Sequence, residues 1–417
     1  MKKKITIGYI GLGRRGYGVL KGCISEMKDV HIKYLCDLHE KHLQRAADLL
    51  AEKGLPGATL SVDYQEILQD PEVDAVFIMT DWASHVPIAK DAMRAGKYTA
   101  IEVGCAFDLQ ECWDLVDIYE QTGTPLMMLE NCCYGRREML ALNMVEQGLF
   151  GEIVHCDGAY SHYLPDVELF LDLDDPIRHY RIDEYKKRNC EQYPTHELGP
   201  IAKVLGINRG NRLVRLNSIA SKSVGLKEYA RDHLANYPEF NTDYNQADIV
   251  TTVITCEGGE TITMKLDTTL PRAYYSRNFT VRGTKGMSCE EGKVVFLEGM
   301  TEPVQNNEEE FFAKYDHPLQ KEYVEIGERG GHGGMDWLVC RAFIESVKNG
   351  TNTPIDVYDT VTWMSIAVLS EASVKQNGAP VEIPDFTRGK WQNREPVTEG
   401  KYCLDKVCID DTAIITD

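Results

Sequence analysis

The first third of the chain alternates short apolar runs with segments whose apolar residues recur every three or four positions. Residues 5–10 (Ile-Thr-Ile-Gly-Tyr-Ile) and 31–36 read as strands, 43–50 as a helix face, 75–79 as a buried strand, and 86–95, closed by Gly96, as a second helix. Residues 98–101 and 126–129 continue the strands, with Leu109, Cys112, Trp113 and Val116 marking one face of a helix between them. Unbroken apolar strands separated by helices predict a doubly wound parallel sheet, because only a sheet covered on both faces buries such runs. Ligands of such sheets sit beyond the carboxyl ends of the strands, which places Asp37, Thr80, Asp81, Trp82, Glu102, Val103 and Asn131 along one crevice.

The period then changes. Segments 152–163, 213–223, 248–256, 260–269 and 279–282 show the β alternation of an antiparallel sheet with one solvated face. Helical segments at 337–348 and 360–375 are expected to cover that sheet or to return to the first domain. Acidity and weak periodicity over 303–328 predict a surface excursion. The expected fold class is α/β, with a Rossmann-type dinucleotide-binding domain over 1–135 and an α+β domain with a mainly antiparallel sheet and C-terminal helices over 136–417.

Composition narrows the function classes. A chain of 417 residues with 43% hydrophobic content is expected to be globular and to form two cores rather than one. Its net charge of −20 argues against nucleic acid and anionic lipid as partners. The start, Met1-Lys2-Lys3-Lys4, runs directly into the first strand, so no signal peptide or membrane span is expected and the cytoplasm is the expected location. Thirteen cysteines without a Cys-x-x-Cys spacing fit reduced thiols. No His, Asp or Glu set has ligand spacing, so no metal is expected. A homo-oligomer is expected, since an exposed sheet face supports association.

The first strand ends in Gly11-x-Gly13-x-x-Gly16 and opens into a helix. Glycines at this spacing allow a tight turn, close backbone approach to a pyrophosphate and helix–strand contact. Asp37 follows about twenty residues on, at the end of the second strand, as the motif requires. Asp37 at the ribose predicts NAD rather than NADP; Arg14 and Arg15 count the other way but belong to the pyrophosphate turn.

The order of fingerprint, acidic strand end, Thr80-Asp81-Trp82-Ala83-Ser84-His85, Ala95-Gly96-Lys97 and Glu102-Val103 resembles the glucose-fructose oxidoreductase/inositol dehydrogenase superfamily over nearly the whole chain. Dehydrogenases of that group carry Glu-Lys-Pro where this chain has Glu102-Val103-Gly104, and commonly an aspartate where this chain has Gln192. A plain sugar dehydrogenase is therefore disfavoured. Residues 129–136 (Leu-Glu-Asn-Cys-Cys-Tyr-Gly-Arg), 143–153, 193–200 (Tyr-Pro-Thr-His-Glu-Leu-Gly-Pro) and 331–336 (Gly-His-Gly-Gly-Met-Asp) resemble glycoside hydrolase family 109. The pocket string departs from that family at Glu197, where a glycine is common.

The resemblance implies a hydrolase acting on N-acetylgalactosaminides, α-linked by expectation, with NAD and a small glycoside as its ligands. It implies transient oxidation at C3, loss of the C2 proton, elimination at C1, addition of water and re-reduction, a recognised exception to paired-carboxylate glycosidases. On the cofactor side it points to Gly11, Gly13, Arg14, Arg15, Gly16, Asp37, Trp82, His85, Glu102, Val103, Asn131 and His196. On the substrate side it points to Tyr160, Arg181, Tyr193, Pro194, Thr195, His196 and Tyr275, with Tyr160, Tyr193 and His196 as candidates for the base. Arg181 is expected to lower a tyrosine pKa enough for such work. His162 and His332 are further pocket candidates. An oxidoreductase of the same fold and a catalytically silent sugar sensor are the competing classes.

Overall fold

A computed structural model describes residues 4–175, 177–327, 329–396 and 400–407; Met1 to Lys3, Glu328 and the chain beyond 407 lie outside the described residues. These group into two compact units, the first drawing on Met1–Glu146, Tyr315–Thr362 and Arg394–Asp417, the second on Gln147–Lys314 and Trp363–Asn393.

In the first unit, β1 (Ile5–Ile10), β2 (Val30–Cys36), β3 (Thr59–Ser61), β4 (Ala75–Ile78), β5 (Tyr98–Ile101) and β6 (Leu126–Met128) form a sheet in the order β3-β2-β1-β4-β5-β6. Every pairing is parallel. All four residues of β4 are buried, as strands covered on both faces must be. The order reverses between β1 and β4, and such switch points are where ligands bind. The helix Met335–Asn349 belongs to this unit: Phe343 meets the Phe77 ring edge-on at 5.0 Å, and Arg341 grips Asp29 through two hydrogen bonds of 2.6 and 2.7 Å. Burial alone would raise the Asp29 carboxyl, but Arg341 and Lys348 hold it down at about 2.

The second unit carries β7 (Ile153–Ser161), β8 (Leu213–Ala220), β9 (Ile249–Cys256), β10 (Thr261–Asp267), β11 (Thr280–Gly283), β12 (Gly286–Cys289), β13 (Val294–Leu297) and β14 (Val381–Glu382). Their order is β13-β12-β11-β7-β10-β9-β8-β14. The pairings are antiparallel except β7 with β10, which is parallel. Val250, Thr252, Ile254, Ile262, Met264 and Leu266 alternate inward, giving the one covered face that the sequence pattern requires.

Residues 303–327 correct the expected surface excursion. Two helices form there, Glu308–Tyr315 and Pro318–Ile326, because Phe311, Phe312, Leu319 and Tyr323 are sites of burial that a short, charge-rich pattern conceals. Among the described residues every cysteine is free. No helix among them is long and apolar enough to cross a membrane.

Candidate active site

The nucleotide loop is shaped by close backbone contact. Gly11 has φ +95°, and a Cβ there would lie 2.6 Å from the Met79 carbonyl; a Cβ on Gly16 would lie 2.2 Å from the Gly11 oxygen. Gly13 faces open space instead, and as N-cap of the helix Arg14–Gly22 it brings no capping side chain, leaving that end to an anion. Beneath the loop, the buried Tyr9 hydroxyl donates to the Gly16 carbonyl at 2.7 Å. Asp37 accepts from the Leu12 N–H at 2.7 Å and the His39 N–H at 2.9 Å, with the His42 ring at 3.2 Å. A carboxylate has about four acceptor sites, so capacity remains for a ribose hydroxyl. The residues present fit a dinucleotide.

Trp82 and His85, on the helix Trp82–Arg94, are buried. The Trp82 indole donates to the Val103 carbonyl at 3.2 Å, and the His85 Nε2 lies 3.0 Å from the Thr80 carbonyl, which makes Nε2 the protonated nitrogen. Burial pushes His85 down to about 4, so it is neutral at physiological pH. A Cβ on Gly104 would come within 2.9 Å of Trp82 and 3.1 Å of His85, so Gly104 makes the room that these two rings fill.

Arg15, Asn131 and His332 converge on a residue that the motifs left without a role, Asp336. Arg15 donates to Glu102 at 2.9 Å and, through two nitrogens, to Asp336 at 2.7 and 2.9 Å. Asn131 donates to Asp336 at 2.7 Å, and the His332 ring lies 2.8 Å from it. Burial opposes the charge of Asp336, but the bonds from His332 and Arg15 hold its carboxyl far below the usual range. Arg14 is exposed on the first helical turn. The signal for Asp336 is its place at the end of the 331–336 string.

On the second unit, Tyr160 near the end of β7 stacks on Tyr193 at 4.3 Å, and the His196 ring meets both edge-on, at 5.5 and 4.8 Å. His196 sits in the first turn of the helix Thr195–Val204, with Pro194 and Thr195 buried before it. Arg181 lies over the Tyr193 ring at 4.4 Å. The Ser161–Ser276 bridge positions Tyr275 beside this group, with its ring 5.1 Å from His162, whose Nδ1 is 3.2 Å from the Tyr160 hydroxyl. The substrate-side candidates are thus brought together, with His162 among them.

The electrostatics differ from expectation. Burial pushes Tyr160 well above the ordinary phenol value, Glu168 adds to the rise, and Arg181 only partly opposes it. Arg181 is itself paired with Glu168 at 3.0 Å, beside His179 at 3.1 Å. Glu168, raised by burial but lowered more by Arg181 and His179, stays ionised at about 2. Sequence reasoning missed Glu168, which no motif marks.

A parallel sheet with this loop and this acidic strand end defines an NAD-binding protein of the oxidoreductase class, and residues 5–130 match the oxidoreductase family with NAD-binding Rossmann fold. Residues 134–393 match the glycosyl hydrolase 109 C-terminal domain. The chain belongs to glycoside hydrolase family 109. It is 40% identical to a glycosyl hydrolase family 109 protein of Stenotrophomonas maltophilia, over 96% of this chain and 93% of the relative. It is 37% identical to an alpha-N-acetylgalactosaminidase of Tannerella forsythia, over 94% and 88%. Levoglucosan dehydrogenase, solved with NADH and levoglucosan, shares the fold at a TM-score of 0.69 and 18% identity, over 91% of this chain and all of that one (100%).

Proposed function

We propose that this NAD-dependent glycoside hydrolase cleaves α-linked N-acetylgalactosaminides by transient oxidation and elimination. The observation that carries the reading is the Tyr160–Tyr193–His196 cluster flanked by Arg181, in a chain whose other unit holds a dinucleotide cradle. The carboxyls near that cluster do not fit the paired-carboxylate route: Glu168 is committed to Arg181 and His179, and Glu191 and Glu197 are fully buried. The substrate class follows the alpha-N-acetylgalactosaminidase activity by which the Tannerella forsythia relative is named.

Gly11, Gly13 and Gly16 would hold the pyrophosphate, Asp37 the adenosine ribose, and Trp82, His85, Glu102, Val103 and Asn131 the neighbouring wall. Bound NAD supplies reversible hydride acceptance at the sugar C3, which acidifies the hydrogen on C2. Tyr160, kept protonated by its surroundings, donates a hydrogen bond to the sugar rather than accepting a proton. His196 takes the C2 proton, imidazole being the side-chain type suited to that work near neutrality. Tyr193, Arg181, Thr195 and Tyr275 orient the ring, with Glu168 fixing Arg181.

The test is cofactor economy. The purified protein should carry NAD(H) and release the chromophore from a chromogenic α-N-acetylgalactosaminide without added NAD⁺. A stoichiometric demand for NAD⁺, with NADH accumulating on a free sugar, would instead establish the dehydrogenase reading.

A further inference from the structure

Glu197, the departure from the family string, is given a partner by the structure. Glu191 and Glu197 are 0% and 1% exposed. Glu197 projects from the first turn of Thr195–Val204 onto β7 where Gly158 leaves room: a Cβ at 158 would come within 3.0 Å of the Glu197 Cβ. The Lys265 N–H donates to Glu197 Oε2 at 2.9 Å and the Tyr193 N–H to Glu191 Oε1 at 3.3 Å. The Glu191 N–H is held by the Ser370 hydroxyl at 2.8 Å.

The two carboxyls lie close enough for each to act on the other's proton. Glu191 Oε2 and Glu197 Oε1 are each buried with no hydrogen-bond partner. Two ionised carboxylates are acceptors only, so that contact is satisfied when one of them carries a proton. The titratable and charged groups around the pair include Tyr160 on β7, Tyr193 and His196 on its own segment, Lys265 on β10 and Tyr185 on the helix Arg181–Lys187. Lys265 acts on Glu197 only as a minor charge, after burial and the hydrogen bonds.

We propose that Glu191 and Glu197 share one proton and act as positioning residues, fixing the backbone that carries Tyr160, Tyr193 and His196 and releasing it when the proton leaves in alkaline solution. The acceptor oxygens bind the N–H groups of Tyr193 and of Lys265, whose neighbour Leu266 is in register with Tyr160. Burial, the largest influence, pushes Glu197 up to about 8 from an ordinary 4.5. The folded pair therefore binds more protons than the unfolded chain across that window, and its stabilisation is lost as pH rises through it.

The inference does not depend on which sugar binds, so it can fail or stand apart from the functional reading. Infrared spectroscopy of the purified protein should show a protonated-carboxyl carbonyl stretch at neutral pH that titrates away near pH 8 and is absent in Glu197→Gln and in Glu191→Gln. The amide of Glu197→Gln replaces the shared proton at every pH. The melting temperature of the native chain should accordingly fall more steeply from about pH 5 to about pH 8 than that of this variant, and the alkaline limb of its activity profile should move upward. No such band in the native protein at neutral pH, a band surviving in both variants, or parallel melting curves would overturn the proposal; the native infrared titration decides even if a variant fails to fold.

Discussion

The two units each bury a carboxyl cluster and neutralise it in opposite ways. In the first, Asp336 stays ionised because Arg15, Asn131 and His332 surround it with donors. In the second, burial is the largest influence on both Glu191 and Glu197, and a proton takes the place of a cation. Burial penalises charge in both places, and the neighbours decide the outcome. The first unit thereby keeps an ionised carboxylate beside its glycine-rich turn, while the second keeps a neutral acid beside its aromatic cluster.

The contrast between the regions is sharpened most by substitutions at the sugar wall itself. His196→Ala should lower turnover by at least about a hundredfold, the scale for losing a positioned base, and Tyr160→Phe by roughly tenfold, the scale for losing one hydrogen bond to the sugar, with both variants retaining bound NAD(H). Loss of the nucleotide from either variant, measured after denaturing extraction, would show that the two sides are not separable in this way. On the cofactor side, Asp336→Asn should cost about 2–3 kcal/mol of stability, below the range for a fully buried pair because Arg15 is 35% exposed. It should also weaken NAD binding, readable by calorimetry. Unchanged melting and affinity would mean that Arg15 finds another partner.

A smaller cost should follow from Gly158→Ala, about 1–3 kcal/mol from crowding against Glu197. Glu197→Gly in the same chain should relieve it, since the contact is then gone. The pH dependence separates the clusters most finely. Asp336, with its pKa depressed, contributes stability that is present above the ordinary carboxylate range and lost as pH falls below about 4. The glutamate pair, with its pKa raised, contributes stability that is lost as pH rises toward about 8, at about 1.4 kcal/mol per pH unit for one proton. Melting curves on both sides of neutrality should fall in both directions, with Asp336→Asn flattening the acid side and Glu197→Gln the alkaline side.

Much of this was legible in the residues. The glycine turn, Asp37 and the alternation of runs placed the first sheet, because parallel strands and their helices leave local periodic patterns. Tyr193 and His196 were marked by their string, and Tyr160 by the family resemblance. The helices Glu308–Tyr315 and Pro318–Ile326 escaped because each is short and rich in charge, with burial spread over a few aromatics. The parallel pairing of β7 with β10 depends on register between distant segments. Asp336 meets Arg15 across more than three hundred residues, a separation of 321, and no spacing rule connects them. The direction of the Tyr160 shift was hidden for another reason: Arg181 was visible, but its prior engagement with Glu168 and the depth of burial are properties of the folded chain.

The central claim is that hydrolysis passes through breakage of the bond between C2 and its hydrogen. Cleavage of an α-linked N-acetylgalactosaminide by the NAD-loaded enzyme in heavy water should give a free sugar carrying deuterium at C2, read by proton magnetic resonance or mass spectrometry of the product. Direct displacement at C1 leaves that hydrogen in place. A hydrolysed product without deuterium at C2, together with full activity after complete removal of the nucleotide, would contradict the account.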